Sequence, residues 1–221
     1  MLAPSKSSFC LYQWIEQLFA LIGYDFHFAP FEVDLIATDL SSQFMTHIST
    51  SLYLGLLGAS PYILFELFRF VSPALYANER KYSIPVMLII YMLFVVGVLM
   101  SYYILFPISF RFLGTYSVAE QVHSTITLDS YITTFVTLTL VMGVIFQLPV
   151  VAFFLAKIGV VNGDMQAKYR QYAFLIIMIV AAIITPPDIM TLVLVTIPLY
   201  LLYEVSIWVV RRVAPRPSAT A

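Results

Sequence analysis

Of 221 residues, 61% are hydrophobic and only 10% are charged, against about 25% charged in an ordinary soluble domain. Eleven Lys and Arg nearly balance twelve Asp and Glu for a formal charge of −1, so no basic surface exists to neutralise the phosphates of a nucleic acid. The one cysteine, Cys10, excludes an internal disulfide, an iron–sulfur site and a Cys-rich zinc site, and reads as a small apolar residue. What remains is an integral membrane protein.

In chain order, the first stretch is too polar to span a bilayer. Leu11, Ile15, Leu18, Phe19 and Ile22 recur at helical spacing, with Gln13, Glu16 and Gln17 between them and Gly23 as a stop, which predicts an amphipathic helix. Tyr12, Trp14 and Phe19 suit a water–membrane boundary, so this helix is expected to lie on the outer face as a cap. Pro30 to Asp39 reads as loop.

Five apolar runs follow: Phe44 to Phe68, Ile84 to Phe106, Ile132 to Ala156, Tyr172 to Thr185, and Ile189 to Val210. A helix needs ~20 largely apolar residues to cross ~30 Å of hydrocarbon. The fourth run stops at Pro186-Pro187 after about 21 Å of helix, and the fifth soon meets Glu204. This pair is expected either to thin the bilayer locally or to sit in a bundle that shields its ends. Ser51, Gly55 and Ala59 draw a small-residue stripe on the first span, which allows a close neighbouring helix, and Gly97 with Ser101 repeats the pattern on the second. Pro61, Pro149 and Pro198 fall inside spans one, three and five, where each removes a backbone donor and bends the helix, suggesting a concave body.

Orientation follows from Lys and Arg, which accumulate in cytoplasmic loops. Arg69, Arg80 and Lys81 follow span one, Lys157, Lys168 and Arg170 follow span three, and Arg211, Arg212 and Arg216 follow span five; Lys6 and Arg111 fall on the other side. The segment before span one also holds Glu16, Asp25, Glu32, Asp34 and Asp39 and is placed outside. The expected organisation is therefore an extracytoplasmic cap and loop over residues 1–43, a transmembrane bundle over 44–210 and a cytoplasmic tail over 211–221. An outer N-terminus with no helix before it to direct export carries a further expectation, that a first span is missing from this chain.

No catalytic constellation is visible. His27, His47 and His123 lie far apart and form no metal-binding spacing, and neither a Gly-rich phosphate loop nor G-x-S-x-G occurs. Glu66 and Arg69 read as a same-helix pair, and Glu204 lies two turns from Arg211 and Arg212. Gln147 alone puts a strongly polar side chain deep in a span, which suggests a helix contact. The absence of a buried carboxylate and of any repeat between halves weighs against an ion-coupled solute transporter, the main alternative class.

Several motifs resemble one family. Phe70-Val-Ser-Pro-Ala-Leu-Tyr-Ala-Asn-Glu-Arg-Lys81, Phe146-Gln-Leu-Pro149, Lys168-Tyr-Arg170, Thr185-Pro-Pro-Asp188 and Ile197-Pro-Leu-Tyr-Leu-Leu-Tyr-Glu204 are similar, in order and spacing, to TatC, the multispanning core of the twin-arginine translocase. The resemblance implies an all-α polytopic protein of the bacterial plasma membrane, shaped as a curved glove-like bundle. Six spans are expected for the full family fold, of which this chain would hold the second to sixth. It implies no enzyme and no cofactor. It implies a receptor that binds twin-arginine signal peptides, self-associates, and assembles with single-span Tat partner subunits to export folded proteins on the proton-motive force.

Residue by residue, Glu79 matches a signal-recognising glutamate of the family, and a carboxylate can indeed pair bidentately with a guanidinium. Phe70, Pro73 and Leu75 match the surrounding loop motif as an apolar shelf, and Arg80 stands beside Glu79 as its local counter-charge. Gln147 departs from the family, in which a glutamate often stands at this place, so a partner-helix contact is expected there rather than a proton carrier. Asp188 and Glu204 complete the partner-contact candidates, Asp188 also being placed to cap the last span. Leu192 stands where some members carry a polar residue.

Overall fold

The structure, a computed structural model, describes residues 35–71, 83–115, 125–185 and 188–213. The expected cap helix over residues 11–22 lies outside that range. In chain order the elements are β1 (Leu35–Ile36), α1 (Ser42–Val71), α2 (Ser83–Met100), a π-helical turn (Ser101–Leu105), α3 (Phe106–Thr115), β2 (Ile126–Thr127), α4 (Leu128–Ile145), α5 (Leu148–Lys157), α6 (Gly163–Lys168), α7 (Arg170–Ile184) and α8 (Ile189–Val213). Four apolar helical rods are long enough to cross a membrane: Ser42–Phe70, Pro85–Thr115, Leu128–Lys157 and Ile189–Val213. The fourth expected span is α7, whose 15 residues reach only about 22 Å at ~1.5 Å per residue.

The prolines act in different ways, because each has different neighbours. At Pro61 the rod continues: the carbonyl of Leu57, which the missing N–H would have met, accepts from Ser60 Oγ at 2.7 Å. At Pro149 the rod breaks. The Phe146 N–H still bonds Met142 O at 3.0 Å, Gln147 N–H falls back on Val144 O at 3.0 Å, and Pro149 sits in the first turn of α5, where a missing N–H costs nothing. Pro198 lies inside an unbroken α8. Pro107 shapes the second rod, which runs nine residues past the expected end at Phe106. Just before it, Phe106 N–H reaches back to Ser101 O and widens one turn into π geometry.

Pro30 to Asp39 is not wholly loop. Leu35–Ile36 pairs in parallel with Ile126–Thr127, Leu35 opposite Ile126 and Ile36 opposite Thr127. Two residues per strand are too few to show alternation in sequence, so only the fold reveals the pairing.

The small-residue stripes also differ. On α2, Gly97 lies so close to α4 that a Cβ there would stand 2.8 Å from Met142 O, and on α4 Gly143 would meet Phe94 Cε2 at 2.7 Å. Ser101 Oγ donates to Thr139 Oγ1 across the same seam at 3.3 Å. The Ser51–Gly55–Ala59 stripe of α1 instead faces outward, with nothing within 4 Å of a Cβ built at Gly55. Small residues permit close approach without compelling it, and the buried positions of α1 are Ser42, Thr46, Tyr53, Ser60 and Phe68.

Beyond the π turn the same rod meets α4 through aromatic edges. Phe106 stands 5.0 Å from Phe135 and 5.1 Å from Tyr131, and Phe110 stands 4.8 Å from Tyr131, all T-shaped. Leu105, Leu138, Met142, Phe146, Ala181, Val195 and Leu199 form the central core, joining the second and third rods to α7 and α8. A third cluster, Ala152, Ala156 and Val210, binds α5 to the end of α8.

Candidate functional site

The packing gathers basic residues at one end of the bundle. Phe68 of α1 lies 6.0 Å from Phe154 of α5, Arg170 at the start of α7 reaches Glu204 of α8, and Arg211 of α8 reaches Asp164 of α6. Arg69, Lys157 and Lys168 close the adjoining helix ends. Arg111, in α3, lies toward the other end, with β1, β2 and Asp188. Phe70 leaves α1 at the basic end with 84% of its surface exposed. Pro73, Leu75, Glu79 and Arg80 fall in the connection from α1 to α2, outside the described residues. Glu66 pairs with Arg69 on its own helix at 3.7 Å.

The three partner-contact candidates are not brought together. Gln147 is at the break between α4 and α5, Asp188 at the end away from the basic residues, and Glu204 near the basic end. Gln147 Nε2 donates to the Ile90 carbonyl of α2 at 3.0 Å, and its Oε1 is buried without an acceptor's partner among the described residues. An amide so placed ties α2 to the hinge of the third rod and keeps one unused acceptor in a low-dielectric setting.

Asp188 Oδ1 accepts the Thr191 N–H at 2.6 Å, which is the N-cap expected of T-P-P-D. Its Oδ2 and the Thr191 hydroxyl are buried without partners among the described residues. Leu192 packs half-buried against the central core, where a polar side chain would be costly.

Glu204 is committed within the chain. Its Oε2 receives Arg170 Nη2 at 2.8 Å and its Oε1 receives the Tyr200 hydroxyl at 3.1 Å, while Tyr203 donates to the Gln166 carbonyl at 2.8 Å. Arg211 and Arg212, two turns on, have other partners: Arg211 pairs with Asp164 at 3.4 Å, and Arg212 Cζ lies over the Trp208 ring, 3.6 Å from its centroid. The partner of Glu204 comes from α7, 34 residues upstream, which spacing along α8 alone does not reveal.

Two surface cavities were not foreseen. One of about 280 Å³ lies between α7 and α8, with Phe174, Met178, Thr196 and Tyr200 in its wall. The other, about 570 Å³, runs beside the first turns of α1 and α4, where Gln43, Thr46, His47 and Thr50 form a polar stripe along α1. The i, i+3, i+4, i+7 spacing of those four was the available signal. Among the described residues no group of three or more His, Cys, Asp or Glu could hold a metal ion.

Comparison with known proteins matches residues 6–198 to the family described as Sec-independent protein translocase protein (TatC). The chain is 39% identical over 172 residues to the Sec-independent protein translocase protein TatC of Halalkalibacterium halodurans, covering 78% of this chain and 67% of that one. The chain belongs to the TatC family. The TatC protein of Blattabacterium sp. subsp. Periplaneta americana is 33% identical over 212 residues, 95% of this chain and 80% of its own. A crystal structure of the twin arginine translocase receptor TatC superposes with a TM-score of 0.73 at 33% identity, covering 96% of this chain and 92% of that one. A second, of the same receptor in DDM, gives 0.71 at 37% identity, covering 80% of this chain and 78% of that one.

This TatC chain is thus a multi-pass helical subunit of the Sec-independent twin-arginine translocase of the bacterial inner membrane, and not an enzyme. The solute-transporter alternative has no support in these relatives.

Proposed function

We propose that this TatC chain is the subunit that receives twin-arginine signal peptides, with Glu79 taking a signal arginine. The supporting observation is the family motif from Phe70 to Lys81, which joins two rods at the basic end of the bundle. A lone carboxylate beside an apolar shelf of Phe70, Pro73 and Leu75 suits a cationic peptide that continues into a hydrophobic stretch, and Arg80 tempers Glu79 until the peptide arrives. The basic end, and with it the tail from 211, faces the cytoplasm by the positive-inside rule, and residues 1–43 lie outside.

Single-span Tat partners, further TatC copies and the proton-motive force complete the export of folded proteins in this reading. Gln147 and Asp188, each with an unused buried oxygen, are the better partner contacts; Glu204, each of whose oxygens already accepts a bond from within the chain, acts as an internal brace.

The test is binding of a labelled twin-arginine peptide to the chain in membranes, comparing Glu79→Gln with Glu66→Gln. Charge-assisted hydrogen bonds contribute about 1.5–3 kcal/mol, so Glu79→Gln should weaken binding at least about tenfold while Glu66→Gln leaves it near wild type. Equal binding by both variants would remove Glu79 from the site.

A further inference from the structure

The motif proposed to receive the signal peptide joins the last turn of α1 to the first turn of α2, so whatever holds those two turns also holds the site. Each is attached thinly. From Pro61 to Phe70 the side chains of α1 are exposed or half-buried with one exception, Phe68, which is only 7% exposed. Two residues on, Phe70 already stands clear of the bundle. On the other side, Ile90 is the first of the described side chains of α2 to be buried, about two turns into the helix.

Both attachments end on the same element. Phe68 lies against Phe154 of α5 with ring centroids 6.0 Å apart, within the range in which aromatic pairs attract. Ile90 gives its carbonyl to Gln147 Nε2 at 3.0 Å, and Gln147 is the N-cap residue of α5. The helix that receives the two arms is itself firmly seated. Ala156 of α5 and Val210 of α8 are fully buried in one cluster, and the break at Pro149 lets α5 take its own direction from α4.

We infer that α5 is the platform of the signal-peptide site and that Phe154 is its positioning residue: the ring holds Phe68, and through it the end of α1, where the Phe70–Lys81 motif begins. The inference rests on the proposed role of that motif. Phe154 touches no peptide in this reading. Losing the ring contact releases the end of α1, and an aromatic pair of this kind shifts an equilibrium about 2- to 12-fold. Apparent affinity falls with the fraction of chains that present the motif correctly, by as much as that factor.

Two readouts on the full chain in reconstituted bilayers test this. The first places spin labels at Leu67→Cys and Val205→Cys, both exposed positions, in a chain whose one cysteine is removed by Cys10→Ser, and measures the distance from the end of α1 to α8. Phe154→Leu and Phe68→Leu should each broaden that distance distribution, and Phe154→Tyr, which keeps the ring, should not. The second is binding of a labelled twin-arginine peptide, which should weaken about 3- to 10-fold in Phe154→Leu and in Phe68→Leu. The double variant should bind no more weakly than either single one, because both remove one contact. Phe110→Leu, in the aromatic seam at the opposite end, should leave both readouts at parent values, which separates positioning from a general loss of packing. An unchanged distance distribution in both leucine variants would overturn the inference whatever Glu79 does. A broadened distribution with unchanged peptide binding, where Glu79→Gln still weakens it, would overturn the inference and leave the Glu79 site standing. Binding that falls in Phe154→Leu but ignores Glu79→Gln would remove Glu79 and keep α5 as the platform.

Discussion

Gly97→Ala tests how much of the bundle depends on the seam between α2 and α4. The added Cβ would lie 2.8 Å from Met142 O and from Phe146 Cγ, and 2.9 Å from Phe146 Cβ, about 0.7 Å inside the ~3.5 Å at which carbon atoms rest. One obstacle is backbone and another is a ring only 5% exposed, so neither can swing aside and the helices must part. Overpacking of this kind costs about 1–3 kcal/mol. The same movement stretches Gln147 Nε2···Ile90 O from 3.0 Å past hydrogen-bonding range, a loss of about 1 kcal/mol. Against this, alanine is the better helix former by roughly 1 kcal/mol. The net loss of about 2 kcal/mol should lower the melting temperature in detergent by about 4–8 °C for a chain of this size. Gly55→Ala, with nothing within 4 Å, should melt at or slightly above the parent. If Gly97→Ala were as stable as Gly55→Ala, the close seam and the reasoning from it would both fail.

Asp188→Ala should lose about 1 kcal/mol through the N-cap on Thr191, and Asp188→Ser should recover most of it in the same thermal melts; if Asp188→Ser is stable but no longer co-purifies the single-span partners, the second carboxylate oxygen has a partner role. Arg170→Gln and Glu204→Gln, combined in a double-mutant cycle of unfolding, should show a coupling below about 1 kcal/mol, since the two side chains are 45% and 32% exposed. Gln147→Leu should destabilise by about 1 kcal/mol in the same melts, through loss of the bond to Ile90 O.

Much of this arrangement is legible in the amino-acid sequence. The five apolar runs correspond to the rods and α7 because a bilayer demands unbroken apolar length, and length is written directly in sequence. Asp188 as a cap and Glu66 with Arg69 were also readable, being contacts over three residues. What escaped were relations between distant segments. Arg170 finds Glu204 through the antiparallel return of α7 into α8, and Leu35–Ile36 finds Ile126–Thr127 across two rods; neither pairing leaves a periodic trace. The outward face of the Ser51–Gly55–Ala59 stripe shows the converse limit, since a small side chain states what is possible for a neighbour and not whether one is there. The proposed peptide site was legible only as a motif, its chemistry being concentrated in one carboxylate on a connection rather than in a cluster that packing would betray.

The π turn at Ser101–Leu105 has a consequence for which length changes the second rod can absorb. An α-helix advances ~100° per residue, so residues five apart would normally point in different directions. Because Phe106 bonds back to Ser101, the surplus residue is swallowed without turning the rod, and Gly97, Ser101, Phe106 and Phe110 stay on one azimuth, meeting Met142, Thr139, Phe135 and Tyr131 of the antiparallel α4 in sequence. Removing one residue between Ser101 and Phe106 would convert the wide turn to an ordinary one and leave those four in line. Adding one would swing Phe106 and Phe110 by ~100° away from α4 and toward lipid. The rod is therefore tolerant of shortening and intolerant of lengthening at that one place, an asymmetry that follows from a single backbone hydrogen bond.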